Sequence, residues 1–167
     1  WDRCRLGIAR TYQIPRPFAH MSVFENVLCA AMHGGGLGLR AASPRAEEVL
    51  ALVALGHRSA TRAGELSLLD LKRLELAKAL ASGPRLLLLD EIAGGLTEVE
   101  CDALLEIIGA VRAKGTTIVW IEHVIHALRR IAARIAVLHG GRIIASGAPD
   151  VVLAEPRVKQ VYLGAGD

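Results

Sequence analysis

Two carboxylates follow a stretch that has the character of a buried strand. Residues 86–89 are four consecutive leucines with no polar alternation, which is typical of a strand buried on both faces beneath helices. Asp90 and Glu91 come directly after it. Ligands of open α/β sheets bind just beyond the carboxyl ends of the strands. Two acids there can hold a magnesium-bound water and polarise an attacking one. The alternative is a buried strand followed by an acidic turn that only aids solubility.

A histidine is predicted to lie at the same edge of the sheet. Residues 116–121 form a second, largely β-branched run that we expect to be another buried strand, and His123 follows its end. A helix between the two strands makes a βαβ unit, so both strands are parallel and end at one edge. His123 is therefore expected beside Asp90 and Glu91, although a single histidine is more often structural.

Gln13 is a further candidate because it ends a short predicted strand over residues 7–13. Pro15 and Pro17 then force an extended loop. Taken singly, such a glutamine would most often be a solvated side chain. The glycine cluster at residues 34–36 lacks the following Lys-Ser/Thr of a phosphate-binding loop, so we interpret it as a surface loop.

Helix-capping signals define the elements between these residues. Serine or threonine three residues before an acid predicts a helix start, and Pro44 after Ser43 predicts another. On the third predicted helix, an apolar stripe of period 3.6 leaves the basic side chains facing solvent. The capping pairs are Ser22 with Glu25, Ser67 with Asp70 and Thr97 with Glu100, and the basic residues are Lys72, Arg73 and Lys78.

Composition limits the possible classes of protein. The 167 residues suit one domain with an aliphatic core, being 52% hydrophobic and only 4% aromatic. The net charge of +3 is too weak and scattered to indicate nucleic-acid binding. No apolar run approaches the ~20 residues that span a bilayer. The three cysteines are far apart, which argues against a metal site and for reduced, cytosolic thiols.

The motifs, and their order along the chain, resemble those of the ATP-binding subunit of an ABC transporter, in particular the branched-chain amino acid uptake type. The resemblance covers nearly all of the chain. The matching segments are residues 7–13 (Q-loop strand), 17–32 (region that receives the membrane subunit), 66–80 (signature motif and helix), 86–91 (Walker B), 94–97 (D-loop), His123 (H-loop) and 161–164 (tail).

The resemblance implies roles for five residues in binding and hydrolysing ATP with Mg²⁺. Glu91 would be the catalytic base and His123 would contact the γ-phosphate. Asp90 would be the acid beside the nucleotide-bound Mg²⁺, and Gln13 would contact both Mg²⁺ and the attacking water. Ser67 would contact the nucleotide of a second subunit in trans.

The resemblance also implies the fold, the partners and the location. We expect an α/β fold of the P-loop NTPase type, with a mainly parallel sheet flanked by helices and a small helical subdomain at about residues 17–82. Residues 1–16 and 83–167 would belong to the α/β core and tail. The partners would be a second nucleotide-binding subunit, identical or different, and permease subunits docked on residues 18–32, from Phe18 to Met32. The subunit would be cytoplasmic, on the inner face of the cell membrane.

The chain departs from the family pattern at several points. It has no GxxxxGK[ST] loop and begins at Trp1, so we expect a truncated portion of a longer protein that binds ATP weakly or not at all alone. Leu68 and Leu69 stand where the signature has a glycine-containing sequence, and glycine there lets the backbone approach a phosphate. Ile92 replaces the usual proline after Walker B, and Val124 replaces the usual aspartate after the histidine.

Two other functions remain open on the sequence. An ABC-type ATPase of chromosome maintenance or repair would carry a long coiled coil between Gln13 and Ser67, and no sustained heptad pattern is present there. A non-catalytic docking module would contact a membrane partner through residues 18–32 without hydrolysing ATP. The missing loop and the altered signature favour that second alternative for the chain alone.

Overall fold

The order of strands and helices follows the predicted βαβ pattern. The computed structural model describes residues 2–163, so Trp1 and the Gly164 of the tail motif lie outside the described residues. The elements are α1 (Asp2–Arg5), β1 (Ile8–Arg10), α2 (Val23–His33), α3 (Leu39–Leu52), α4 (Leu68–Ala81), β2 (Leu86–Asp90), α5 (Glu98–Ala113), β3 (Thr117–Ile121), α6 (Ile125–Ile131), β4 (Ile135–His139), β5 (Arg142–Gly147), α7 (Pro149–Ala154) and α8 (Pro156–Leu163), with 3-10 turns at Gly56–Arg58 and Ala63–Glu65.

The chain divides into two units, residues 1–123 and 124–167. In the first, α2, α3 and α4 pack on one another, and β1, β2 and β3 form one sheet. The second contains the hairpin of β4 and β5 with α6, α7 and α8. The predicted division into a helical subdomain at residues 17–82 and an α/β core remains a prediction.

The first unit contains a parallel sheet of strand order β1-β2-β3. Residues in register share a face, and Leu87 and Leu89 of β2 are fully buried on one of the two faces. The opposite face is open: Val119 is 51% exposed and Ile121 64% exposed. The prediction that β2 is buried on both faces is therefore wrong for this second face. The predicted burial of β3 is wrong as well, since its residues alternate between exposed and partly buried.

Helix starts follow the capping signals at three places. The side chains of Ser22, Ser67 and Thr97 each accept a hydrogen bond from the N–H three residues on, and Ser22 and Thr97 form complete capping boxes. The start predicted at Ser43 is wrong. Helix α3 begins four residues earlier, at Leu39, and Pro44 lies inside it.

The solvent-facing position predicted for the basic residues of α4 is wrong for Lys72, which is only 3% exposed. The side chains of Arg73 and Lys78 are partly buried, at 16% and 19% exposure. Glu75 on the same helix is also buried. Helix α4 packs against both α2 and α3 and against β1, so packing encloses more of its circumference than one apolar stripe. By contrast, the buried side of α5 is the predicted one and consists of Leu104, Leu105, Ile107, Ile108 and Val111, together with Cys101.

The second unit has its own small apolar core. Strands β4 and β5 pair antiparallel around a turn at Gly140 and Gly141, both with positive φ. Buried side chains from the hairpin, α7 and α8 form the core: Ile135, Val137, Ala145, Val152 and Val158. Among residues 2–163, no helix is both long enough and apolar enough to cross a membrane.

Candidate functional site

The chain turns sharply at Glu91, immediately after β2. Glu91 has φ +44°, in the left-handed region that a non-glycine residue rarely adopts. Its N–H donates to the carbonyl of Ile121, which extends the pairing of β2 with β3 by one residue. Such backbone conformations cost about 1–3 kcal/mol and concentrate at functional sites. The strain therefore singles out Glu91 as a candidate functional residue.

The Glu91 carboxylate meets two of the side chains that the sequence placed at this edge. The amide nitrogen of Gln13 donates to Glu91 Oε2 at 2.6 Å. The Nδ1 atom of His123 lies 3.9 Å from the same oxygen. The Glu91 side chain retains 32% of its exposure and His123 retains 64%, so a ligand can reach both. The structure thus brings Gln13, Glu91 and His123 together, while their roles stay predictions.

These three side chains line one side of an open cleft of about 470 Å³. Leu68, in the first turn of α4, lines the cleft as well, and its Cδ2 would lie 3.3 Å from a Cβ placed on Gly95. The loop after β2 therefore approaches α4 closely at Gly95, which has φ +78°. The remaining residues that line the cleft are Ile14, Pro15, Lys72 and Gly94.

Asp90 lies on the open face of the sheet and not in this cleft. Its carboxylate is paired with the Arg10 guanidinium, and its N–H donates to Thr11 Oγ1 at 3.3 Å. Arg10 also lies over the ring of Tyr12, with 5.5 Å from its guanidinium carbon to the ring centroid. Asp90 and Glu91 are consecutive, yet they present their carboxylates to different surroundings.

Ser67 directly precedes Leu68 of the cleft but is not itself one of the lining residues. It is the exposed N-cap of α4, and its Oγ accepts from the Asp70 N–H at 3.3 Å. The structure therefore gives Ser67 a capping contact and does not place it among the residues lining the cleft. Its contact with a nucleotide in trans remains a prediction.

Glu122 is an unexpected carboxylate beside the cleft. Both of its oxygens are buried and lack a hydrogen-bond partner within residues 2–163, as does the indole nitrogen of Trp120. Burial raises the pKa of the Glu122 carboxyl. His123 opposes that change, Glu91 adds to it, and Lys72 opposes it. The Trp120 N–H also lowers this pKa, although its contact with the carboxylate does not meet the geometry of a hydrogen bond.

Lys72 is the buried cation at the base of the cleft. Its ammonium donates to the main-chain carbonyls of Gln13, at 3.2 Å, and Glu91, at 3.3 Å. Burial lowers the pKa of Lys72, and the nearby carboxylates of Glu122 and Glu91 act in the opposite direction. Sequence reasoning missed this residue. The available signal was its spacing from Leu76 and Ala79, four and seven residues on, which are buried on the same helix.

The donor set suits a magnesium ion that arrives with a nucleotide. Asp90, on the open face, and Gln13, in the cleft, carry the carboxylate and amide oxygens that Mg²⁺ prefers. Mg²⁺ is typically held by one or two carboxylates together with phosphates and waters. Within residues 2–163 no group of three or more His, Cys, Asp or Glu side chains could hold a metal by itself. The chemistry of these residues therefore fits a metal bound mainly through phosphate.

Comparison with known proteins identifies the class. The profile of the family described as ABC transporter matches residues 1–94. A second profile, described as branched-chain amino acid ATP-binding cassette transporter, matches residues 142–167. The chain belongs to the ABC transporter family.

The curated relatives place the similarity among ATP-binding proteins of transport systems. A probable branched-chain amino acid transport ATP-binding protein from Archaeoglobus fulgidus is 33% identical, over 98% of this chain and 68% of the relative. A high-affinity branched-chain amino acid transport ATP-binding protein from Escherichia coli is 35% identical, over 96% and 69%. A lipopolysaccharide export system ATP-binding protein from Acidithiobacillus ferridurans is 32% identical, over 98% and 67%.

Solved structures confirm the predicted fold. The ATP-binding cassette MJ1267 of an ABC transporter superposes with a TM-score of 0.84 at 27% identity, covering 96% of this chain and 70% of that one. The protein cbiO1 from Clostridium perfringens, part of the transporter complex cbiONQ, gives a TM-score of 0.84 at 25% identity, covering 98% and 66%. The fold is that of an ABC ATPase domain.

Proposed function

We propose that this chain supplies the ATP-hydrolysing residues of an importer for branched-chain amino acids. The observation that carries the proposal is the Glu91 carboxylate, which is held by Gln13 at 2.6 Å, faces His123 at 3.9 Å and stands on a strained backbone. An oriented carboxylate that a ligand can reach is suited to accept a proton from water.

In this proposal each residue has one task. Glu91 accepts a proton from the attacking water, Gln13 orients Glu91, and His123 donates a hydrogen bond to a phosphate oxygen. Asp90 would hold the magnesium ion of the nucleotide once its carboxylate is released from Arg10. When bound, ATP brings the reacting phosphate, and its magnesium ion supplies charge that offsets the phosphate charge. Positioning and electrostatics, more than covalent chemistry, then account for the rate.

The test of the catalytic role is Glu91→Gln in the assembled transporter. Because a general base contributes about 10²–10⁴-fold, we expect ATP turnover to fall by at least ~10²-fold while ATP still binds. Glu98→Gln is the matched control, since Glu98 is an exposed acid in the first turn of α5. Turnover that is unchanged in Glu91→Gln would remove Glu91 from the role of base.

The solute is proposed from the similarity of the C-terminal segment, residues 142–167, to the branched-chain amino acid cassettes. The relative from a lipopolysaccharide export system has similar identity, so transport must be measured directly. We expect ATP-dependent uptake of labelled leucine into vesicles that contain the assembled transporter. ATP turnover without any uptake of branched-chain amino acids would refute this solute class.

The proposed partners are a second nucleotide-binding subunit and permease subunits that dock on residues 18–32. Support for the docking site comes from Phe18, which is 47% exposed. Its main-chain N–H and carbonyl are both bonded to the side chain of buried Asn26, at 2.8 and 3.1 Å. An exposed aromatic side chain on a main chain that is held in place by two hydrogen bonds suits a protein contact. The subunit would then be peripheral on the cytoplasmic face of the membrane.

A non-catalytic docking module is the second candidate. It is favoured by Leu68 and Leu69 at the start of α4, where bulky side chains stand at a position that suits glycine for contact with a phosphate. The turnover assay separates the two candidates. A wild-type transporter assembled with this subunit that binds its permease but hydrolyses no ATP would support the docking module.

A further inference from the structure

We infer that Lys72 is a positioning residue, which holds the backbones of Gln13 and Glu91 together so that their side chains remain in contact. The inference rests on the proposed function, in which Gln13 orients the Glu91 carboxylate that accepts a proton from the attacking water. It adds a residue to which the resemblance assigns no role, located on α4 and therefore on a different element from either of the residues it holds.

The geometry of the Lys72 ammonium is the basis of the inference. Its two hydrogen bonds, of 3.2 and 3.3 Å, end on the carbonyls of Gln13 and Glu91. These carbonyls lie 59 and 19 residues away in sequence. A side chain that is only 3% exposed thus bridges two segments that are otherwise distant along the chain.

Both bridged segments need external support. Gln13 precedes a loop with Pro15 and Pro17, and proline has no N–H to bond. Glu91 stands in the left-handed region, which persists only where surrounding contacts hold it. A charged donor binds main-chain carbonyls more strongly than a neutral one. The ammonium is therefore suited to fix the separation of the two backbones, and with it the 2.6 Å contact between Gln13 and Glu91.

The same helix offers a matched control in Lys78. Its ammonium also donates to a main-chain carbonyl, that of Arg16, at 2.7 Å, and to the Glu75 carboxylate at 2.9 Å. It contacts neither Gln13 nor Glu91 in these bonds. Lys78→Met thus removes an ammonium and a carbonyl contact from α4 without removing the bridge.

Selective labelling makes the position of Gln13 directly observable. The chain has two glutamines, Gln13 and Gln160, so nitrogen-15 glutamine gives two pairs of side-chain amide signals. Gln160 is exposed on α8 and serves as an internal reference. In the wild-type chain we expect the Gln13 signals to be displaced from those of Gln160 by the bond to Glu91.

Lys72→Met should move the Gln13 signals to the position of the Gln160 signals, whereas Lys72→Arg and Lys78→Met should leave them displaced. If Lys72→Met fails to fold, Lys72→Gln replaces it in the same measurement, because its side chain is too short to bridge both carbonyls. Gln13 signals that stay displaced in folded Lys72→Met or Lys72→Gln would overturn the inference.

A second measurement tests whether the position of Gln13 affects ATP hydrolysis. In the assembled transporter, we expect Lys72→Met to lower kcat for ATP hydrolysis by about tenfold or more while KM stays within about twofold, and Lys78→Met to change neither. An unchanged kcat in Lys72→Met would also overturn the inference. Absence of hydrolysis in the wild-type transporter would instead refute the proposed function, and the glutamine spectra would still decide whether Lys72 holds Gln13.

Discussion

At the scale of single residues, the edge of the sheet concentrates three costly features. Glu91 has a strained backbone, Lys72 is a buried cation, and Glu122 has a buried carboxylate whose oxygens lack hydrogen-bond partners among residues 2–163. Each such feature lowers stability unless nearby groups compensate. Such features cluster at functional sites, and their occurrence side by side supports the role proposed for this edge.

Glu122 gives a prediction about pH. Because burial raises the pKa of Glu122, the folded state holds this proton more tightly than the unfolded state, and stability falls as pH rises through the raised pKa. Glu122→Gln removes the charge. We expect a gain of the order of 1 kcal/mol in the free energy of unfolding near pH 7, which disappears as pH falls towards about 4, near the ordinary glutamate pKa.

Denaturant unfolding at several pH values measures this gain. Glu106→Gln, at an exposed position of α5, is the control and should show no such gain at neutral pH. A stabilisation by Glu122→Gln of equal size at both ends of the pH range would contradict the assignment.

At the scale of elements, local hydrogen bonding explains where most helices begin, and α3 is the exception. Its N-cap is Gly38, which makes no side-chain capping bond, and Pro44 lies well inside the helix. Proline there cannot donate to the carbonyl of Arg40, four residues back, and its ring crowds that carbonyl. Burial of Ala42, Ala46, Val49 and Leu50 keeps this segment helical despite the proline.

Pro44→Ala should therefore stabilise the protein. Restoring the N–H gains more than the loss of rigidity in the unfolded chain costs, and we expect a net gain of about 2 kcal/mol. The measurement is the free energy of unfolding in urea. Pro149→Ala is the control, because Pro149 stands in the first turn of α7, where no N–H is needed. A destabilised Pro44→Ala variant, with Pro149→Ala unchanged, would show that proline is required in α3.

At the scale of the whole molecule, the sheet has one covered face and one open face. The open face carries Arg10 and Leu88 beside Val119 in register, and Asp90 beside Ile121. Exposed apolar side chains on a sheet favour association with another surface. We therefore expect the 167-residue chain to self-associate through this face.

Val119→Thr should weaken that self-association by about tenfold, since burying a valine side chain contributes roughly 1.5 kcal/mol. Threonine keeps the strand propensity of valine. Sedimentation velocity at several concentrations measures the effect. Val99→Thr is the control, because Val99 is 80% exposed on α5 and away from the sheet. An equal effect of the two substitutions would locate the association elsewhere.

Features that depend on neighbours along the chain could be predicted from the sequence. The helix starts at Ser22, Ser67 and Thr97, the order of the strands, and the placing of Glu91 and His123 at one edge follow from capping bonds, periodicity and the parallel βαβ rule. The family could be recognised for the same reason, because its motifs are short and ordered.

The covered surfaces and the paired charges became known only from the folded chain. The burial of Lys72, the pairing of Arg10 with Asp90 and the open face at Val119 depend on residues distant in sequence. An amphipathic pattern shows that a face will be buried, but it does not identify the group that will cover it. Desolvation and hydrogen bonding depend on that group, so the charges around Gln13 and Glu91 could be assigned only after the chain was folded.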